Sequence, residues 1–246
     1  MRKYLIAALA AVLSVTVAGI ALAQNPDPSA SAPDAKFTVS PAKAGTKKKP
    51  KNSTLKLFVK NNRTDATVDT ITVFLAKNLK LGGKGFKYCT AAALNTKGKT
   101  ACPAGSKAGS GTANAVVGPG HAPVKFTVDA YIGSKTSVIF YTQQVAPGTV
   151  RKALVGKISK ASGKFGSKIV ITIDEDLQQP APSVFSSLVD LRVTMKAKKG
   201  KNYLVSTTGC PSDKKHRFGV KFTFNPNSTF PATGSVTGTT DSPCAK

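Results

Sequence analysis

Phe218-Gly219-Val220-Lys221-Phe222-Thr223-Phe224 decides the fold class. Successive residues of an extended chain point to opposite faces, so four apolar side chains share one side while Gly, Lys and Thr take the other. At helical spacing the same residues would spread around the whole cylinder and leave no apolar stripe. The stretch reads as a half-buried antiparallel strand.

The same period of two recurs outward from it. Leu55, Leu57 and Val59 alternate with lysines, and Ile71, Val73 and Leu75 follow the same rule. So do Val124, Phe126, Val128 and Ala130, then Ile169, Ile171 and Ile173, then Val189, Leu191, Val193 and Met195. Runs at 136–141, 154–158 and 203–207 are less regular. Glu175 is the single Glu of the chain, so charge-paired amphipathic helices cannot be built. One helical turn is expected at Thr90-Ala-Ala-Ala-Leu94, with Thr90 as its N-cap. Many short strands with Gly- and Pro-rich connections predict an all-β fold. The expected architecture is an antiparallel β-sandwich, Ig-like or jelly-roll-like, stapled by disulfides, with little or no helix outside a signal peptide.

Residues 1–23 have the form of a secretory signal. Arg2 and Lys3 precede an apolar run from Leu5 to Ile20, and Ala21-Leu22-Ala23 offers small residues for cleavage before Gln24. Residues 24–35, QNPDPSASAPDA, read as a disordered linker. A single β-sandwich is expected over 36–246, with two smaller ones divided near 118–120 as the alternative. No later segment is apolar enough to span a bilayer, so no transmembrane span is expected after cleavage. The expected location is extracellular or associated with the cell envelope.

Four cysteines, Cys89, Cys102, Cys210 and Cys244, allow three disulfide connectivities. Nearest-neighbour pairing, Cys89 with Cys102 and Cys210 with Cys244, is the expected one. The first bridge would close a loop projecting from the scaffold. Cys-x-x-Cys pairs suited to zinc do not occur.

The formal charge is +25, and losing Arg2 and Lys3 with the signal would leave +23. Of the 36 basic residues only five are Arg. Lys is a hydrated point charge, whereas Arg offers a planar fork for bases and phosphates. Diffuse attraction to polyanions is therefore expected, and specific nucleic-acid reading is not. The densest run, Lys47, Lys48, Lys49 and Lys51 around Pro50, is the candidate polyanion contact.

Catalytic constellations are poorly supplied. The two histidines, His121 and His216, have no Gly-x-Ser-x-Gly elbow to serve. Lys214, Lys215 and Arg217 around His216 are expected to lower its pKa. Asp174-Glu175-Asp176 is the one local concentration of acids, and adjacent residues on a strand do not converge. Ala93 to Thr100 meets a loosened phosphate-loop pattern, but Cys102-Pro103 would end its helix at once. No catalytic residue, cofactor or metal ligand is assigned.

Three pieces of the chain resemble a group of exported actinobacterial β-rich proteins of unknown function. They are Pro41-x-x-Ala-Gly-Thr-Lys-Lys-Lys-Pro50, Cys102-Pro-Ala-Gly-Ser-Lys-x-Gly-Ser-Gly-Thr-Ala113, and Thr208-Gly-Cys-Pro211 with a final Pro243-Cys244. The resemblance implies a secreted β-rich domain and supplies no activity, ligand or site residue.

The chain thus reads as a non-enzymatic cationic protein held to anionic cell-envelope polymers or acidic glycans. A polysaccharide-active hydrolase built on distant carboxylates is the alternative, and a cationic membrane-active factor the second.

Overall fold

The computed structural model describes residues 32–63, 65–146 and 148–246. The expected signal peptide at 1–23 and most of the expected linker lie outside them. Order in the first strand begins at Asp34, two residues before the expected boundary.

The chain begins with β1 (Asp34–Ser40), β2 (Lys51–Asn52), β3 (Thr54–Lys60), β4 (Val68–Ala76) and β5 (Leu79–Leu81). Helix α1 (Ala91–Lys97) and a 3-10 turn (Gly98–Ala101) follow. Then come β6 (Lys107–Val117), β7 (Ala122–Ser134), β8 (Ser137–Gln144), β9 (Arg151–Lys160) and β10 (Phe165–Thr172). A short helix α2 (Glu175–Gln178) leads to β11 (Ser186–Met195), β12 (Lys198–Lys199), β13 (Asn202–Tyr203) and β14 (Val205–Thr207). The long strands β15 (Lys215–Phe224) and β16 (Ser235–Pro243) complete the set.

Eleven strands form one sheet in the order β1-β3-β11-β6-β7-β8-β9-β10-β4-β15-β16, every neighbouring pair antiparallel. Eleven is odd, so the two edge strands must run parallel to each other. They do, and they meet. The Ala44 amide donates to the Ala245 carbonyl at 2.8 Å, and the Ala245 amide to Ala42 at 2.9 Å. The Val39 amide donates to Ser242 Oγ. The sheet therefore curls until its edges touch, and its opposing walls supply the two layers that a sandwich needs. The expected all-β, disulfide-stapled antiparallel fold is what the structure shows.

The inward faces are those the alternation marks. Leu55, Leu57, Val59, Ile71, Val73, Leu75, Ile169, Ile171, Phe218, Val220, Phe222 and Phe224 are all buried in one continuous core. Phe37 of β1 stacks on Phe218 of β15, ring centroids 4.7 Å apart, just inside the seam. Full burial of each such side chain contributes about 1.5–3 kcal/mol.

Three departures have physical causes. Val189 was expected inside, but a bulge between Leu188 and Asp190 shifts the register, and Leu188 packs against the core instead. The irregular run Val138-Ile139-Phe140-Tyr141 is buried on both faces. Val138 and Phe140 face inward, while Ile139 and Tyr141 lie outside the sheet with Tyr131, Leu94 and Cys89. The loop closed by Cys89 and Cys102 is the cover: it does not project from the scaffold but lies flat on the wall. Inside it Thr90 caps α1 as expected, accepting from the Ala93 amide. Asn95 Oδ1 accepts from the Ala153 amide of β9 at 2.8 Å.

The glycines after Cys102 also find their reason here. A Cβ on Gly109 would come 1.9 Å from the Thr194 carbonyl oxygen, and one on Gly111 1.8 Å from that of Arg192. Only Gly lets β6 approach β11 this closely.

Candidate functional site

Successive long strands alternate in direction, although several connections cross between non-neighbouring strands, and this gives the barrel two ends, here called base and mouth. The base connections are 41–53, 77–90, 102–106, 135–136, 161–164, 196–214 and 244–246. Together they hold seventeen Lys and one acidic residue, Asp213. The mouth connections are 61–67, 118–121, 145–150, 173–185 and 225–234. They hold no Lys, one Arg (Arg63) and four acids: Asp65, Asp174, Glu175 and Asp176. The lysines of the connections, which look evenly spread along the chain, are sorted onto one pole by the alternation of strand direction.

Lys47, Lys48 and Lys49 stand exposed at that pole, on a tight turn in which the Thr46 amide donates to Lys49 O and Thr46 Oγ1 accepts from the Lys49 amide. Lys51 is half-buried in β2, which pairs with β14 in a small base sheet. Lys47 and Lys77 flank a shallow depression of about 410 Å³ floored by Asn78, Thr208, Gly209, Cys210 and Pro211. Tyr88 is exposed beside Lys87, and Lys198 lies 6.0 Å from the Tyr203 ring centroid, so rings accompany the charge. The β12–β13 pairing sets Lys198 opposite Tyr203.

The mouth end is hollow. A cavity of about 350 Å³ lies between the ends of β6 to β11 and β4. Ala113, Ala115 and Val128 line one side, Phe140, Leu154 and Ile171 another. At the opposite end the interior is filled by large side chains such as Leu75 and Met195. Most polar groups in the lining are already engaged, Gln144 Oε1 accepting from the Val150 amide at the rim. Thr142 Oγ1 donates to Lys152 O, Ser186 Oγ to Leu177 O, and Gln178 bonds both Ile173 O and Asn225 Nδ2. Helix α2 crosses the opening. Asp174 caps it, accepting from the Asp176 amide, and Lys152 Nζ of β9 reaches Asp174 at 2.9 Å and Asp176 at 2.5 Å. Those carboxylates raise the Lys152 pKa, Asp176 more than Asp174. Asp174 and Asp176 thus strap α2 to β9.

The two histidines fall at opposite ends, His121 in the mouth turn 118–121 and His216 at the base end of β15. His216 is fully buried and its Nδ1 lies 3.1 Å from Asn78 Oδ1, an amide and not a carboxylate. Its pKa is lowered, as expected, but burial is the cause and not the flanking cations. Asp129 is a buried acid that the sequence did not single out; Lys99 and Lys107 neutralise it on the outer wall. Exposed large apolar side chains among the described residues, Tyr88, Val145 and Val155, belong to base, mouth and wall respectively. Among those residues no helix is long and apolar enough to cross a membrane, and no cluster of His, Cys, Asp and Glu is suited to a metal.

Both expected disulfides form, Cys89–Cys102 and Cys210–Cys244. The second lies beside the seam, where the Cys244 amide donates to Lys214 O. The cavity could not be read from spacing alone, because its small residues, Ala113 and Ala115, look like ordinary strand alanines. No protein-family model, curated protein or solved structure matches this chain.

Proposed function

We propose that this is a non-enzymatic, exported binding protein that attaches through its base to anionic cell-envelope polymers or acidic glycans. The observation that carries the reading is the sorting of seventeen Lys against one acid at the base, with an acidic mouth opposite. A one-signed pole focuses the field on one face and orients a dense polyanion there, which scattered charge does not. Lys without Arg favours a repeating anionic polymer over a base-reading surface. The two disulfides fit an oxidising compartment, which supports export.

The test is a salt titration of binding to isolated anionic wall polymer. Binding should be strong at low salt and fall steeply as the screening length shrinks toward about 8 Å at physiological ionic strength. Replacing Lys47, Lys48, Lys49 and Lys51 together by Ser should weaken binding and leave the thermal midpoint nearly unchanged, since three are exposed loop lysines and Lys51 is a half-buried residue of a two-residue strand. Salt-insensitive binding, or none at low salt, would sink the reading.

A further inference from the structure

We infer that the mouth cavity is a binding site for a single hydrocarbon chain whose polar end is neutral or cationic. Its volume, about 350 Å³, lies within the range of small-molecule sites, about 300–1,000 Å³. The wall is mostly apolar: Thr142, Gln178 and Ser186 are spent on bonds inside the protein, and the other polar lining groups, Gln144 and Asp176, bond the Val150 amide and Lys152 at the rim. A cavity with so few hydrogen-bonding groups turned inward holds water poorly and takes up apolar molecules. Barrels of small strand number hold single ligands in the same manner.

The space is built in by residue choice. Ala113, Ala115 and Ala122 occupy lining positions of β6 and β7, where Leu or Phe would fill it, as they do elsewhere in the barrel. The ligand therefore takes the place of missing side chains.

The rim sets the charge of the outer end. Asp174, Glu175 and Asp176 stand at the opening, and Lys152 beside them is held by two of the three, while Lys125 and Arg151 alternate with lining residues and sit on the outward faces of β7 and β9. A carboxylate or phosphate left at the opening would meet these acids first, so an alcohol, ester or ammonium head is favoured. This site is separate from the base lysines and does not depend on polymer binding.

The experiment is a fluorescence titration with N-phenyl-1-naphthylamine, a neutral apolar probe, followed by displacement with dodecanol, dodecyltrimethylammonium and dodecanoate below their aggregation limits. Saturable uptake is expected, with displacement by the alcohol or the ammonium at concentrations at least tenfold below that of the carboxylate. Ala115→Phe should abolish uptake by filling the cavity. Ala113→Leu, a smaller change, should reduce it if the first variant does not fold. Glu175→Lys, which spares the Lys152 ion pairs, should narrow the gap for dodecanoate. No saturable uptake by the wild-type protein, or unchanged uptake in a folded Ala115→Phe or Ala113→Leu variant, would overturn the cavity assignment. Preferential displacement by dodecanoate would overturn the assignment of the head group. The four-Lys variant should take up the probe like wild type, which separates failure here from failure of the polymer reading.

Discussion

Lys99 Nζ lies 2.5 Å from Asp129 Oδ2, and this contact fastens the disulfide loop to the outer wall of the barrel. Lys107 Nζ holds the other carboxylate oxygen at 2.8 Å. Burial pushes the Asp129 carboxyl up, but the hydrogen bonds from Lys107 and Lys99 outweigh it and hold the group below its ordinary range. Asp129 is buried at 7% exposure, but the Lys99 and Lys107 side chains are 41% and 58% exposed, so solvent screens part of the attraction.

Asp129 gives a prediction with a definite sign. Its folded pKa is depressed, so its contribution is full above the unfolded value of about 3.9 and is lost as pH falls through the folded one. Asp129→Asn should cost about 1–2 kcal/mol at pH 7, the range for hydrogen bonds to charged groups reduced for two solvent-exposed lysines. Urea melts from pH 7 to pH 2 should show that difference shrinking in acid. A difference that stays constant to pH 2 would contradict the assignment.

His216 gives a second dependence, in a different window. Burial lowers its pKa, so the folded protein holds it neutral while the unfolded chain gains a proton below about 6.5. Its contribution is therefore full above that pH and declines from there toward the folded value. His216→Leu should flatten the stability profile between pH 7 and pH 5 while lowering stability at neutral pH. An NMR titration in which the His216 ring protonates near 6.5 in the folded state would exclude this account.

Gly111→Ala should destabilise by about 1–3 kcal/mol, as overpacking does, because its Cβ has only backbone to displace. Gly120→Ala is the control: a Cβ there meets nothing within 4 Å, and the change should stay within about 0.5 kcal/mol. Thermal melts of the two variants compare them directly. Equal midpoints would mean that β6 and β11 can part without cost.

The two bridges should fail differently. On the chain-entropy account, removing Cys89–Cys102 costs about 3 kcal/mol and removing Cys210–Cys244 nearer 4. Hydrogen exchange distinguishes them better than melting does. Loss of the first should speed exchange in α1; loss of the second should expose the Ala44 and Ala245 amides at the seam. Identical exchange patterns in the two double-Ala variants would refute the assigned roles.

The sequence showed which residues face inward wherever one face met solvent: Leu55, Leu57 and Val59, or Phe218 through Phe224, needed only the pleat. It showed the α1 cap at Thr90 because capping is local. The pattern blurred at Val138 to Tyr141 for a reason outside those residues, since α1 buries their outer side as well. Bulging at Val189 is a register event with no local marker. Closure was hidden for a deeper reason. Ala42 and Ala245 meet across 203 residues, and no periodicity encodes which edges join. The same holds for the two poles: Lys47 and Lys201 become neighbours in field only once the order of strands is known.

An odd number of strands has a consequence for anything attached to this barrel. An even-stranded antiparallel barrel returns its last strand to the side from which the first one started. Here Asp34 starts at the mouth and Pro243 ends at the base, separated by the length of a nine-residue strand, about 30 Å. A short linker cannot rejoin those ends, so circular permutants would need a tether spanning the full height of the wall. A fusion partner placed before Asp34 would crowd the cavity, whereas one placed after Lys246 would sit among the base lysines. The side chosen for a tag or a surface immobilisation therefore selects which pole remains free to be assayed.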